Sequence, residues 1–150
     1  MKYSQGEVGR IFVVKIEHGD DLLKELEHLA GLENIGAGVF YVIGAIKEAS
    51  MVTGPRECTC PPVPVWYKFS DCREILGIGT LFCENAKPII HLHGVAGREG
   101  KTVMGCIRGE NEVYLVAEVI LIELKNARAF RELDKELGVK VLNILAKEEN

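Results

Sequence analysis

The sequence has 150 residues, of which 47% are hydrophobic and 27% charged, a balance typical of one compact globular domain spanning residues 1–150. The formal net charge is −4 and no segment is strongly basic, which argues against tight general binding of nucleic acid. The longest apolar stretch, residues 113–124, is too short for a membrane-spanning helix and contains two glutamates, so we expect no membrane partner.

The first predicted elements are a strand and a helix. The segment "RIFVVKI", residues 10–16, is rich in β-branched residues and predicts a strand. Gly19 and Asp20 indicate the start of a helix over about residues 20–33, with Asp20 as its N-cap. The apolar stripe of this helix, at helical spacing, consists of Leu22, Leu26, Leu29 and Ala30.

The middle of the chain predicts strands around one long loop. The segment "GVFYVIGAIKEASMV" predicts two strands that meet near Gly44, where the chain can bulge or bend. Prolines and a glycine exclude regular structure from residues 54–64. The segment "PVWYKF" then predicts an edge strand, and residues 74–83 predict another strand.

The rest of the chain predicts a hairpin and a long strand. The segments "KPIIHLHGVA" and "KTVMGCIRG" flank "GREG", a natural hairpin turn. The nearly continuous apolar run "EVYLVAEVILIEL" predicts a strand covered on both faces, one of them by another subunit. Residues 127–137 have a mildly helical pattern. We therefore predict an α+β fold with a mainly antiparallel sheet of about seven strands and one or two helices.

Two of the four histidines lie two positions apart in the predicted hairpin, so His91 and His93 share one face of a strand. If residues 97–100 form the loop, His93 pairs with Met104 and His91 pairs with Cys106. Two imidazoles and a thiol on one face can chelate a divalent metal, with zinc as first choice and an open fourth position; iron, nickel and copper also accept these ligands. Alternatively, the histidines lie on a solvated face and Cys106 is a small core side chain.

Two glutamates are candidates for a supporting role. Glu74 opens a predicted strand and Glu118 interrupts an apolar one. Either could accept a hydrogen bond from a metal-binding histidine or act as a general base. The alternative for each is an ion pair with Arg10 or another arginine, within the chain or across subunits.

The remaining cysteines and histidines suggest no second site. Five cysteines are an odd number, which with the absence of an apolar leader predicts a reduced, cytoplasmic protein. We interpret the others as free loop or core thiols, namely Cys58, Cys60, Cys72 and Cys83. His18 and His28 are expected at the surface.

The order of several motifs resembles a known family. They are "RIFVVKIEHGDDLLKEL", "YVIGAIKEA", "EILGIGTL", "HLHGVAGREGKTVMGC", "AEVILIEL" and "RELDKELG". Together they resemble the plant-and-prokaryote-conserved (PPC) domain family, some members of which are labelled DNA-binding proteins with a PD1-like motif. The resemblance implies a homotrimer of α+β subunits and makes DNA a possible partner.

The resemblance also bears on the metal. Prokaryotic members similar to this chain often have His-x-His followed by a third histidine on the next strand, and Cys106 stands at that third position here. Plant members lack this histidine set and have separate basic AT-hook segments, whereas this chain has no Arg-Gly-Arg-Pro stretch.

Three functions remain open on the sequence. The first is a trimeric metal-binding protein, with zinc preferred, that performs metal-assisted chemistry on a small molecule. The second is a DNA-associated regulatory protein of the PPC type. The third is a metal-stabilised scaffold or sensor without catalysis, whose metal is fully coordinated.

Overall fold

The computed structural model describes residues 1–145 as eight strands and one helix. In chain order they are β1 (Glu7–Glu17), α1 (Leu22–Leu32), β2 (Ala37–Pro55), β3 (Pro64–Phe69), β4 (Arg73–Glu84), β5 (Lys87–Arg98), β6 (Lys101–Lys125), β7 (Ala129–Asp134) and β8 (Val139–Ile144). Each strand pairing is antiparallel. The predicted α+β class is confirmed, with one strand more than expected. No helix among these residues is long and apolar enough to cross a membrane.

Six strands form one sheet in the order β1-β6-β5-β4-β2-β3, and β6 also pairs with β2. The strands β2, β4, β5 and β6 therefore form a closed ring. Helix α1 packs against β5 and β6, and Phe40, Leu26 and Leu121 are fully buried in the core. Strand β3 is an edge strand, as predicted. The strands β7 and β8 form a separate two-stranded sheet, and β7 contacts β4.

The N-cap of helix α1 lies one residue later than predicted. Its N-cap is Asp21, whose carboxylate accepts hydrogen bonds from the backbone N–H groups of Leu23 and Lys24. The predicted cap, Asp20, instead accepts a hydrogen bond from the backbone N–H of Glu17 and closes the turn before the helix. Adjacent aspartates are equally good caps by residue type, so only the backbone geometry distinguishes them. The predicted stripe is confirmed by the buried residues Leu22, Leu26 and Ala30, whereas Leu29 is half-buried.

The segment around Gly44 is one long strand rather than two. Strand β2 is 19 residues long, and its register with β6 shifts between Gly44 and Ala45. Gly44 has a φ of 135°, and a Cβ there would clash with the carbonyl group of Val116. The predicted bulge is therefore present, and it bends β2 without interrupting it.

The hairpin that joins β5 and β6 has a different register from the predicted one. Glu99 and Gly100, with φ values of 51° and 74°, form a two-residue turn, so Arg98 pairs with Lys101. His93 consequently pairs with Cys106, and the predicted pairs of His93 with Met104 and His91 with Cys106 are wrong. The error amounts to two residues and the side-chain period of a strand is two, so each residue stays on its predicted face.

The helix predicted from the pattern of residues 127–137 is wrong, because this segment forms β7 and the turn that leads into β8. The carboxylate of Asp134 accepts hydrogen bonds from the backbone N–H groups of Glu136 and Leu137, and Gly138 has a φ of 67°. An aspartate at the start and a glycine at the end are turn signals that outweigh a short apolar spacing. This hairpin places Arg131 against β4 and β5.

Strand β6 is long, as predicted, but a single chain covers only one of its faces. Val113, Ala117, Val119 and Leu121 are fully buried. On the opposite face, the side chain of Ile120 is exposed. Covering of the second face by another subunit therefore stays a prediction.

Candidate metal centre

Three of the predicted residues form a compact group of possible metal ligands. The ligand atoms of His91, His93 and Cys106 all lie within 4.8 Å of one another. His91 and His93 extend from the same face of β5, and Cys106 lies on β6 directly opposite His93. The two-residue error in the predicted register therefore does not change which three residues form the cluster.

The two imidazoles are arranged to share one ion. Their Nε2 atoms are 3.1 Å apart, and the rings are nearly perpendicular, at 75°. An ion about 2.0 to 2.1 Å from each nitrogen would fit between them with an N–ion–N angle of roughly 95–102°, somewhat below the tetrahedral value. The nitrogen and sulfur donors thus fit zinc, and three protein ligands leave one position for another group.

The surroundings of His91 favour its neutral form. Burial, together with the charges of Arg108, Arg131 and His93, lowers the pKa of His91 from 6.5 to about 4. A neutral imidazole has the lone pair that a metal requires. Burial raises the pKa of the Cys106 thiol, and the nearby Arg108 partly opposes that rise. A metal would therefore bind after displacing the thiol proton.

Arg131 is a buried neighbour of the cluster that the sequence interpretation missed. One guanidinium nitrogen, Nη2, donates to the hydroxyl of Thr80 at 3.0 Å and lies 3.3 Å from Nδ1 of His91. Thr80 pairs with His91 across β4 and β5. Arg131 is 40 residues from His91 in sequence and lies in a segment with a helical pattern, so no local signal connects the two.

The contact with Arg131 determines which nitrogen of His91 holds the ring proton. A guanidinium only donates, so Nδ1 of His91 accepts and the neutral ring has its proton on Nε2. A metal on Nε2 would require the proton on Nδ1, because a neutral imidazole has only one N–H. Metal binding through Nε2 would therefore end the hydrogen bond between Arg131 and His91.

The two glutamate candidates lie apart from this cluster within one chain. Glu74 is exposed and lies six residues along β4 from Thr80, or about 20 Å. Glu118 is also exposed, and along the sheet three strand spacings, or roughly 14 Å, separate it from Val95. Val95 lies two residues after His93 on β5, so Glu118 is at least this far along the sheet from the cluster. A role for either at the metal would require a second chain and stays a prediction.

Within one chain, Arg10 pairs with carboxylates other than Glu74 and Glu118, and pairing of these two with another arginine or across subunits stays a prediction. Arg10 donates through Nε and Nη2 to the carboxylate of Glu123 and through Nη1 to that of Glu33. Arg10 lowers the pKa of Glu123 to about 2, chiefly through these hydrogen bonds. Glu123 lies on β6 two residues after Leu121 and is only 8% exposed, so this arginine neutralises a carboxylate that the fold shields from water.

The other cysteines and histidines lie where the sequence predicts. Cys58 and Cys60 are exposed in the loop between β2 and β3, and Cys72 and Cys83 are half-buried free thiols. His28 is exposed, as is His18, whose Nδ1 accepts a hydrogen bond from the backbone N–H of Leu115.

The family model of the Plants and Prokaryotes Conserved (PCC) domain matches residues 3–125. The chain belongs to this family. It is the family that the order of motifs indicates, and the possible metal ligands of this PCC domain all lie inside the matched residues. Arg131 lies beyond them.

Solved structures with the same fold include two archaeal proteins. A metal-containing protein from Archaeoglobus fulgidus is 24% identical, with a TM-score of 0.82, over 99% of this chain and all of that chain. A PPC protein from Pyrococcus horikoshii is 24% identical, with a TM-score of 0.80, over 97% of this chain and 96% of that chain.

A candidate DNA-binding protein from Bacteroides thetaiotaomicron is 20% identical, with a TM-score of 0.78, over 93% of this chain and 97% of that chain. Among curated proteins, the bifunctional protein GlmU of two Synechococcus strains is 28% identical over 137 residues, which are 90% of this chain. This PCC domain spans a fifth of the length of those relatives.

Proposed function

We propose that this PCC domain binds one divalent metal ion, with zinc preferred, through His91, His93 and Cys106. The observation that supports this most directly is the convergence of three ligand atoms within 4.8 Å on two paired strands. The metal-containing relative from Archaeoglobus fulgidus, which has the same fold, adds support.

The open fourth position makes metal-assisted chemistry on a small molecule the preferred role. A bound zinc ion lowers the pKa of a coordinated water or polarises a carbonyl group. His91, His93 and Cys106 would hold the ion and orient its open position. A metal with four protein ligands would instead indicate a scaffold or sensor without catalysis.

The test is metal retention after desalting. The parent protein, loaded with zinc and desalted, is expected to retain about one ion per chain, whereas His93→Ala and His91→Ala should each weaken binding about 100-fold or more. His28→Ala, which removes an exposed histidine outside the cluster, is the matched control and should retain zinc like the parent. Loss of zinc from the parent, or equal retention by His91→Ala, would contradict the proposal.

We also propose that the chain assembles as a homotrimer, and its exposed apolar face supports this. Val13, Ile120, Tyr41, Ile78 and His93 are successive register partners across five strands. Such a continuous apolar row is expected to be covered by another molecule. The row ends at a metal-ligand candidate, so a second copy bound on it would lie next to the metal.

A second candidate function is DNA association, which the names of several similar structures favour. One of them is the candidate DNA-binding protein from Bacteroides thetaiotaomicron, and another is a candidate DNA-binding protein from Ralstonia eutropha. This function predicts salt-sensitive retardation of duplex DNA, since protein–phosphate contacts release counterions. A gel shift at low salt tests it, and unretarded DNA at micromolar protein would contradict it.

A further inference from the structure

Arg131 is a buried cation that has no counter-charge among residues 1–145. It is 7% exposed, and within residues 1–145 its hydrogen bonds all come from Nη2. The Nε atom is buried and has no hydrogen-bond partner among these residues. No carboxylate of the described part of the chain lies within ion-pair distance of its guanidinium.

Other arginines of the fold contact carboxylates, whereas Arg131 contacts none among the described residues. Arg10 contacts Glu123 and Glu33, and Arg73 contacts Asp71. A buried ion without a partner costs several kcal/mol, which is why such groups are normally paired. An unpaired guanidinium beside a cluster of metal ligands therefore indicates a partner that is not part of the described chain.

Arg108 adds a second cation to the same place. It is exposed on β6, two residues from Cys106, and is close enough to influence both Cys106 and His91. A divalent ion and two guanidinium groups, balanced by one thiolate, would leave the loaded centre with a large excess of positive charge. Such an excess attracts anions and disfavours cationic ligands.

We propose that the ligand of this metal centre is a small oxyanion, a carboxylate or a phosphate, that binds the open position of the metal and is held by Arg131. This rests on the proposed metal site and specifies its ligand class. A guanidinium matches both groups because its parallel N–H donors fit two oxygens. Metal binding through Nε2 of His91 ends the Nη2 contact with that ring, so metal loading frees a donor of Arg131 for the anion.

The experiment measures anion binding to the cobalt(II)-loaded protein, because ligands at the open position of cobalt change its visible absorption. Inorganic phosphate and acetate are titrated separately, which distinguishes phosphate from carboxylate ligands. At least one of them should change the spectrum and saturate. If neither changes the spectrum of protein that retains cobalt, the oxyanion proposal is overturned while the metal site stands. If the parent retains no metal, the metal proposal fails first.

Variants of the arginines assign the binding to Arg131. Arg131→Met should weaken anion binding about tenfold or more, which corresponds to one lost charge-assisted hydrogen bond. The same variant should retain metal at least as well as the parent, because it removes a cation beside a cation site. Arg128→Met, an exposed residue near the start of β7, has the same charge change and should bind the anion within about twofold of the parent.

Two further variants keep the proposal testable if Arg131→Met does not fold. Arg131→Lys retains the charge without the paired donors and should give an intermediate loss. Arg108→Met changes an exposed residue and should weaken anion binding about threefold or more. Unchanged anion affinity in the folded Arg131 variants, or in Arg108→Met if neither Arg131 variant folds, would overturn the assignment.

Discussion

His91 shows how burial and nearby charges act on a candidate metal ligand. Burial and two nearby arginines lower its pKa to about 4, so the ring is neutral at physiological pH. This state is ready to bind a metal, but the histidine must be kept neutral within the folded protein. The free energy of unfolding of the metal-free protein should therefore depend on pH through the protonation of His91.

We predict a loss of stability as the pH falls from about 6.5 to about 4 in the metal-free protein. In this range the unfolded chain protonates at position 91 and the folded chain does not, so acid favours unfolding. His91→Gln should reduce the decline, which denaturant unfolding at about pH 7, 6 and 5 in the presence of a chelator would measure. Glu123 contributes its own decline only below pH 4.5, since its pKa is lowered to about 2.

The control for this prediction is His28→Gln, which changes an exposed histidine of the helix. It should leave the pH dependence of the parent unchanged. The same slope in the parent and in His91→Gln would show that the folded and unfolded chains protonate position 91 alike.

At the residue scale, the sequence predicts the clustering of the candidate metal ligands better than it predicts their surroundings. His91, His93 and Cys106 share a face under any register that differs by two residues, because side chains alternate along a strand. Arg131 depends on the docking of a distant hairpin against β4, which no local pattern encodes. The capping aspartate also depends on backbone geometry, since Asp20 and Asp21 have the same side chain.

At the scale of elements, β2 and β4 are in close contact where Phe40 packs against Gly79. Gly79 pairs directly with Phe40, and a Cβ at position 79 would overlap the aromatic ring. The ring is fully buried and belongs to the hydrophobic core. The glycine thus allows a large side chain to lie flat against the neighbouring strand.

We predict that Gly79→Ala destabilises the protein by about 3 kcal/mol, because the added methyl group forces Phe40 out of its position. Phe40→Leu in the same chain should relieve part of that strain, so the double variant should be more stable than the sum of the single effects predicts. Gly36→Ala, where a Cβ meets no atom within 4 Å, is the control and should be nearly neutral. Denaturant unfolding of the four variants tests this; additive effects of Gly79→Ala and Phe40→Leu would contradict it.

Strands with strong β patterns are predictable in this chain, and short segments with mixed signals are not. The segments of β1, β3 and β4 alternate or are rich in β-branched and aromatic residues, which strands accommodate well. The segment of β7 has apolar residues at spacings that also fit a helix, although its hairpin partner β8 has the β-branched residues Val139, Val141 and Ile144. Turn chemistry at Asp134 and Gly138 is a further local signal of the hairpin.

At the scale of the whole molecule, one face of the sheet is too apolar to face water in a single chain. Val13 is 83% exposed and Ile78 is 57% exposed, and both belong to the row that crosses five strands to His93. A homotrimer would bury this row and would bring residues of another copy next to the metal ligands. Glu118 lies beside the row, opposite Lys15 and Ile43, and could reach a neighbouring centre only in such an assembly.

We predict a trimer for the parent protein and dissociation for Ile78→Glu, because a carboxylate in the apolar row would be buried without a partner. Size exclusion with light scattering measures the mass of each variant. Leu133→Glu introduces the same charge at an exposed apolar residue of β7 outside the row and should remain trimeric. A monomeric parent, or an Ile78→Glu trimer as stable as the parent, would be inconsistent with this interface.

The separate pairing of β7 with β8 divides the candidate centre between two parts of the chain. The possible metal ligands belong to the ring of long strands, whereas Arg131 belongs to a hairpin that has no strand pairing with that ring. Substitutions in the hairpin would therefore alter the binding of the proposed anion while the proposed metal ligands keep their geometry. A protein built this way can acquire a new preference among ligands by exchanging one short peripheral segment.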